Sequence, residues 1–329
     1  MYHIKRKEVR QINNLWYFIL VLGMIGFWGN HFSRAQSTWF HPSPMNSSNT
    51  LIDICFNEQE YGWAVGDSGI VWHTQNGGKS WDSQTIENYP VLHALTFTDE
   101  KSGWIVGEGG LILRTQNGGQ KWIVQECPTS DTFYDVVFLD SLHGWIAGSY
   151  YILATQNGGQ SWEVKLHSRE HVFYGLYFFN PSEGWAVGGS SLFYTKDGGN
   201  TWELSELPTR SCLYSIFFQD SLHGWVVGDD AAIYYTANRG QSWQEIYSHR
   251  PIWLNSVKFC NPYFGCCAGV FYENSELQGI LLWTNDGGAT WQEEICASPL
   301  YASCFRKPGL VWTVGAGGYI AQLELKAPD

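Results

Sequence analysis

"TQNGGQSW" at residues 155–162 returns almost unchanged as "TQNGGKSW" (74–81) and "TQNGGQKW" (115–122). Looser copies continue the series, so that the closing Trp falls at 81, 122, 162, 202, 243 and 291, in steps of 41, 40, 40, 41 and 48 residues. A stretch recurring at so even a step belongs to a repeating structural unit. The alternative, a ligand loop copied several times, has no need of a constant period.

Two further motifs share the step. Gly-Trp-x-x-Gly runs ahead of the octet at 62 ("GWAVG"), 103 ("GWIVG"), 144 ("GWIAG"), 184 ("GWAVG") and 224 ("GWVVG"), with degenerate copies "GCCAG" at 265 and "VWTVG" at 311. Before each comes an apolar element ending in Phe: "LIDICF" (51), "LHALTF" (92), "FYDVVF" (133), "FYGLYF" (173), "LYSIFF" (213), "LNSVKF" (254) and "LYASCF" (300). Each unit therefore reads as strand a, turn, strand b opening on Gly-Trp, Gly-rich turn, strand c, octet, strand d. Four short strands per unit, in seven units, predict an all-β protein, a seven-bladed β-propeller. No helical periodicity interrupts the array and no linker marks a second domain. The seventh unit, "VWTVGAGGYIAQLEL" (311–325), supplies strands b and c but no octet or strand d. "STWF" (37–40) has the form of a strand-d start, so the N-terminal strand is expected to complete the last blade and close the ring.

The octet's residue types suit a clasp. Asn or Asp at its third position (Asn76, Asn117, Asn157, Asp197, Asn238, Asp286) can accept hydrogen bonds from backbone N–H groups of its own turn. The Gly pair permits positive φ, and "TANRGQSW" (236–243), with Arg239 in place of the first Gly, implies that one Gly suffices. The closing Trp is expected to fill the wedge between blades, burying on the order of 200 Å². The octet resembles the Asp-box, or bacterial neuraminidase repeat, Ser/Thr-x-Asp-x-Gly-x-Thr-Trp. With the Gly-Trp elements at the same step, the array resembles the photosystem II stability/assembly factor-like propellers over about residues 37–325. That resemblance implies a non-enzymatic protein-binding scaffold, in a family associated with an Arg-rich patch facing its protein client. The repeated motifs are structural, so function is expected where blades differ.

Composition agrees with this reading. Eighteen each of Trp, Tyr and Phe with 36 Gly in 329 residues favour β-structure with tight turns over a helical bundle or disorder. The N-terminus stands apart. Lys5, Arg6, Lys7 and Arg10 precede the apolar run "LWYFILVLGMIGFWG" (15–29), and Ser33-Arg34-Ala35 offers small residues to a signal peptidase. Residues 1–35 are thus expected to be a secretory signal cleaved before Gln36, leaving 36–329 as a single propeller in the periplasm or outside the cell. An uncleaved anchor is the competing reading, but such a run makes only ~22 Å of helix against a ~30 Å hydrocarbon core. The whole chain carries a formal charge of -12. Without 1–35 it keeps 14 Lys+Arg and 30 Asp+Glu, a net of -16, which disfavours nucleic acid and anionic lipid as partners.

Propellers bind through loops at one channel mouth, here the d–a and b–c connections, since the octets occupy the opposite face. Three successive d–a connections place an arginine shortly before strand a: Arg169, Arg210 and Arg250, half of the six arginines after residue 35. His167, His171 and His249 flank them. Such a patch suits bidentate docking of an acidic or carboxylate-bearing protein. The second positions of strand a are His93, Tyr134, Tyr174, Tyr214, Asn255 and Tyr301. We expect these to be inner-strand packing rather than an aromatic ring, but Tyr174 and Tyr214 lie beside the arginines and join the partner-binding set. Residues 270–279, "VFYENSELQG", are expected to be an inserted b–c loop carrying specificity, with Tyr272 in it and Trp253 nearby. The expected partner surface is therefore Arg169, Arg210, Arg250, His171, Tyr174, Tyr214, Trp253 and Tyr272.

Eight cysteines in an exported chain suggest disulfides, with Cys260 to Cys266 or Cys267, and Cys55 to Cys304, as candidate pairs. No Cys-x-x-Cys occurs, so no metal or other cofactor is expected. Asp-box sialidases open on an Arg-Ile-Pro element absent here. Asp229-Asp230, adjacent in a turn, cannot supply the facing carboxylates, ~5–9 Å apart, that a glycosidase needs. The expectation is a monomeric, non-catalytic binder of a protein client; a carbohydrate-binding or glycoside-hydrolase-like propeller is the alternative.

Overall fold

The computed structural model describes residues 39–42, 48–57, 60–88, 91–205, 207, 209–247 and 250–325. The expected signal segment lies outside these residues, as do Ser37 and Thr38 of the expected closing strand and His249. Seven antiparallel sheets follow one another in chain order, one per sequence unit: a seven-bladed β-propeller. Six sheets have four strands in the order a-b-c-d, and the seventh has three, Leu300–Lys307, Leu310–Gly315 and Ile320–Glu324. Beside its last strand Phe40 forms an isolated antiparallel bridge with Gln322, with N–H···O distances of 2.9 and 2.8 Å. No helix of the described residues is long and apolar enough to cross a membrane.

Burial explains why strand b carries the most uniform motif. It sits inside each sheet with both faces against neighbouring blades, and every residue of "GWAVG" (Gly62–Gly66) or "GWVVG" (Gly224–Gly228) is buried. The glycines answer close approaches: a Cβ on Gly62 would strike the Phe56 ring, and one on Gly188 would overlap the Val172 carbonyl. Strand a is only partly buried. In Leu51–Phe56 the first and fourth residues are buried while the second, third and fifth are half-exposed and turn to the central channel.

The wedge between blades is filled chiefly by the Trp of strand b. Trp63 stacks on Phe97 of the next blade with centroids 3.6 Å apart, Trp104 on Phe138 at 3.6 Å, and Trp145 on Phe178 at 3.8 Å. The indole N–H of each donates to an octet glycine carbonyl of the following blade, Gly118, Gly158 and Gly198, at 3.1 Å. The octet Trp, expected in the wedge, meets the same Phe edge-on, as in Phe138–Trp162 at 5.9 Å and 90°. It is the more peripheral ring because strand d lies at the rim of the blade. Trp312 stacks on Phe56 at 5.4 Å, and Arg306 pairs with Glu60 at 2.9 Å, so blade 7 packs on blade 1 as the other blades pack on one another.

The octet is a hydrogen-bonded clasp with its first residue as hub. Thr155 Oγ1 accepts the Gly159 N–H at 2.9 Å and the Asn157 N–H at 3.3 Å, and donates to Asn157 Oδ1 at 2.9 Å. Asn157 Oδ1 accepts the Ser161 N–H at 3.0 Å. The threonine bonds recur around Thr74, Thr115, Thr195, Thr236 and Thr284. Arg239 adopts φ 62° where the other octets have Gly, while Gly240 keeps φ 78°, where a Cβ would meet the Trp185 ring. One Gly therefore does suffice.

Blade 6 departs from the pattern twice. Its strand b reads "GCCAG", yet the wedge is not empty: Trp283 on strand c, cross-strand from Cys266, is buried there with Leu300 and Val311. Residues 270–279 are not an inserted loop. They lengthen strands b and c to Gly265–Glu273 and Glu276–Thr284, joined by a two-residue turn with φ 51° at Asn274 and 69° at Ser275. Asn and Ser at positive φ are the signature of a tight hairpin turn.

All eight cysteines are free thiols. The expected Cys260 bridge does not form, because the Cys266 thiol turns into the core toward Ser303 Oγ at 3.4 Å. Cys260, in the a–b turn, directs its S–H to the Phe264 carbonyl at 3.7 Å.

Candidate functional site

Strand a of every blade lines a central cavity of about 430 Å³, with its second residues toward the d–a end. Its mouth is lined by the second residues of strand a, which are half-exposed rather than sequestered as packing. His93 lies 5.3 Å from Tyr134, Tyr134 lies 5.2 Å from Tyr174, and Tyr174 lies 5.3 Å from Tyr214, centroid to centroid. Strand pairing within one blade cannot create such an arc; it arises because four neighbouring blades carry an aromatic at the same position. The rings are also tied to their own b–c turns, for Ser149 Oγ bonds Tyr134 Oη at 3.2 Å and Asp229 bonds Tyr214. Burial and the Asp229 carboxylate raise the Tyr214 phenol well above its ordinary range, so it stays a neutral donor.

Deeper in the channel sit charged groups that no repeated motif marks. Asp53 Oδ1 accepts the Ile54 N–H at 2.8 Å, and its Oδ2 accepts Leu95 N–H of the next blade at 2.9 Å. Asp135 does the same with Val136 at 2.8 Å and Leu176 of the next blade at 2.7 Å. These two carboxylates clamp inner strands of adjacent blades. Desolvation within the channel raises Asp53 to about 6, a shift opposed by its backbone donors and by the Lys258 ammonium across the channel, and it raises Asp135 in the same direction. Strict alternation would turn the third position of strand a away from the second; the register shifts at Leu51/Asp53 and Phe133/Asp135 bring both to the channel.

The expected arginine patch divides. Arg169 and Arg210 are exposed and enter none of the ion pairs among the described residues. Arg250 is not like them. Its guanidinium is held by Glu293, on strand d of its own blade, and by Tyr247 Oη at 2.9 Å. Desolvation opposes its charge, but the bonds to Tyr247 and Glu293 outweigh it and hold the guanidinium above its ordinary pKa. It is a structural ion pair rather than a free docking group. His171 packs edge-on against Phe193 at 5.0 Å and His167 lies flat on Tyr151 at 4.4 Å, so both rings are engaged with their blades. Tyr272 is exposed on the lengthened hairpin, with Trp253 against it at 5.8 Å and 84°. The expected surface therefore resolves into a mouth (Tyr174, Tyr214), two exposed cations on neighbouring d–a connections, and an aromatic pair on blade 6.

The family described as "Photosynthesis system II assembly factor YCF48" matches residues 32–126, 120–210 and 200–298. The chain belongs to this family. Among solved structures it is similar to "YCF48 bound to D1 peptide", at TM-score 0.73 and 22% identity over 90% of this chain and 97% of that one. It is similar also to "YCF48 from Cyanidioschyzon merolae", at TM-score 0.70 and 19% identity over 88% and 99%. An ancestral GH74 enzyme shares the fold at TM-score 0.64 and 13% identity, with 86% of this chain covering 46% of that one. No curated protein matches the sequence.

Proposed function

We propose that this chain is an exported, non-enzymatic propeller that binds a segment of a membrane-protein complex and serves its assembly, with photosystem II reaction-centre protein as the client in a photosynthetic host. The observation that carries this reading is membership of the assembly-factor family, joined to a family structure that holds a D1 peptide. Binding falls to the d–a and b–c face, where Arg169 and Arg210 are free to meet carboxylates and Tyr272 with Trp253 offers apolar area. Asp53 and Asp135 each accept one backbone N–H on each oxygen, the second from the next blade, which is the role of a strand clamp. A glycan reading has behind it only the shared fold of GH74 enzymes.

The test is fluorescence anisotropy with a labelled D1 peptide, comparing the wild type with Arg169→Glu/Arg210→Glu. A tenfold or greater loss in the variant is expected, since each reversal turns an attraction into a repulsion. Equal affinity would remove the patch from the reading. Absence of wild-type binding would remove the client.

A further inference from the structure

We propose that the channel mouth is a second binding site, one that takes a single alkylammonium or guanidinium group, a lysine or arginine side chain presented on an extended protein segment. The site goes beyond the client reading, because its probes are small cations and need no assembly partner.

Shape comes first. A cavity of about 430 Å³ admits one long side chain and the backbone around it, not a folded element. The wall at its mouth is an unbroken aromatic arc from His93 through Tyr134 and Tyr174 to Tyr214, with successive rings 5.2 to 5.3 Å apart. Faces and hydroxyl oxygens of tyrosine attract a cation entering between them, while the ring faces repel an anion. Burial lowers the pKa of His93, so the imidazole contributes no opposing charge at neutral pH, and its Nε2 has no hydrogen-bond partner among the described residues.

Charge agrees with shape. Below the arc lie Asp53 and Asp135, each with two lone-pair sites left after its backbone bonds. The ammonium that faces them is the chain's own Lys258, which lines the same cavity and stabilises both carboxylates. A cation therefore already occupies this environment. Two carboxylates against one ammonium leave room in charge for a second. An anion would face the unbalanced carboxylate.

The experiment uses the protein labelled with ¹³C at its tyrosine rings and follows their NMR shifts during titration. Probes are the capped tripeptides Gly-Lys-Gly and Gly-Arg-Gly, their Gln and Glu counterparts, and free spermidine. Lysine and arginine peptides should move the mouth tyrosines with roughly millimolar Kd, and the Gln and Glu peptides should not. Asp53→Asn/Asp135→Asn should weaken the lysine peptide at least about tenfold. Because that variant also loses strand clamps, Lys258→Met supplies an arm that leaves them intact; removing the resident ammonium should tighten the lysine peptide about threefold or more. Equal shifts by the Lys and Glu peptides, or loss of binding in Lys258→Met, would overturn the proposal. Spermidine binding without lysine-peptide binding would overturn its assignment to a protein side chain.

Discussion

Replacing Thr155 by Val tests whether the octet is a clasp. The two side chains have the same shape, so the change deletes one hydroxyl from a site only 3% exposed. Thr155 Oγ1 accepts the Gly159 N–H at 2.9 Å and the Asn157 N–H at 3.3 Å. Asn157 is exposed and its N–H can turn to water, but Gly159 is buried beneath Trp104 and its N–H cannot. A buried donor left unpaired costs about 1–3 kcal/mol, so a loss near 2 kcal/mol is expected. Melting entropy of about 2.1 cal/mol/K per residue over roughly 290 residues gives ~0.6 kcal/mol/K, which turns that loss into a Tm fall of about 3 °C. Differential scanning calorimetry reads it directly. Thr155→Ser keeps the oxygen and should stay within about 1 °C of wild type. The same two variants go through the peptide-binding assay, where neither should differ from wild type. Unchanged Tm with lost binding in Thr155→Val would make the octet a ligand loop and refute the reasoning.

Four further outcomes follow from the geometry. Arg250→Met strips the partner from Glu293, whose side chain is 14% exposed, while leaving Tyr247 beside it; Arg250 is itself 40% exposed, so thermal melting should show a modest loss of about 1–2 kcal/mol. Arg169→Met, at an exposed arginine without an ion pair among the described residues, should leave Tm unchanged. Trp283→Ala should cost about 3–5 kcal/mol in denaturant titration, as much as Trp104→Ala, because each fills its own wedge. The pH dependence of melting should carry an Asp53 component. Its folded pKa, about 6, lies above the unfolded 3.8, so the stability it contributes is full below pH 3.8 and is lost as pH rises through 6. Asp135 and Lys258 face it in the channel, and Asp135 shifts in the same direction, so the readout is the difference in Tm-against-pH slope between wild type and Asp53→Asn. Parallel slopes would exclude a raised Asp53.

What the sequence disclosed and what it hid have one physical cause. A ring of blades imposes the same demand at every seam, so the Gly-Trp stack and the Thr-centred clasp recur and the period exposes them. Residues that answer a demand only once leave no period. Trp283 is the clearest case: the wedge of blade 6 needs an indole, and a cross-strand pair can supply it from strand c as well as from strand b. "GCCAG" therefore looked degenerate although the packing is intact. Arg250 misled for the opposite reason. Its place in line with Arg169 and Arg210 suggested shared function, but the carboxylate that holds it, Glu293, lies 43 residues away on strand d and no local pattern announces it. The hairpin of 270–279 was legible as a departure but not as a shape, since "YENSEL" satisfies a loop and a tight two-residue turn equally until strand pairing is known. Asp53 and Asp135 sit at the third position of strand a, where Ala94, Gly175, Ser215, Ser256 and Ala302 stand in the other blades. Ala and Gly at that position offer the next blade no acceptor; Ser215 Oγ accepts Val257 N–H at 3.2 Å, and the two carboxylates are held by the equivalent donors Leu95 and Leu176. Once those donors and Lys258 are set against the two charges, an unbalanced carboxylate remains under an aromatic mouth. That residue of charge appears only when blades are compared for what they do not share.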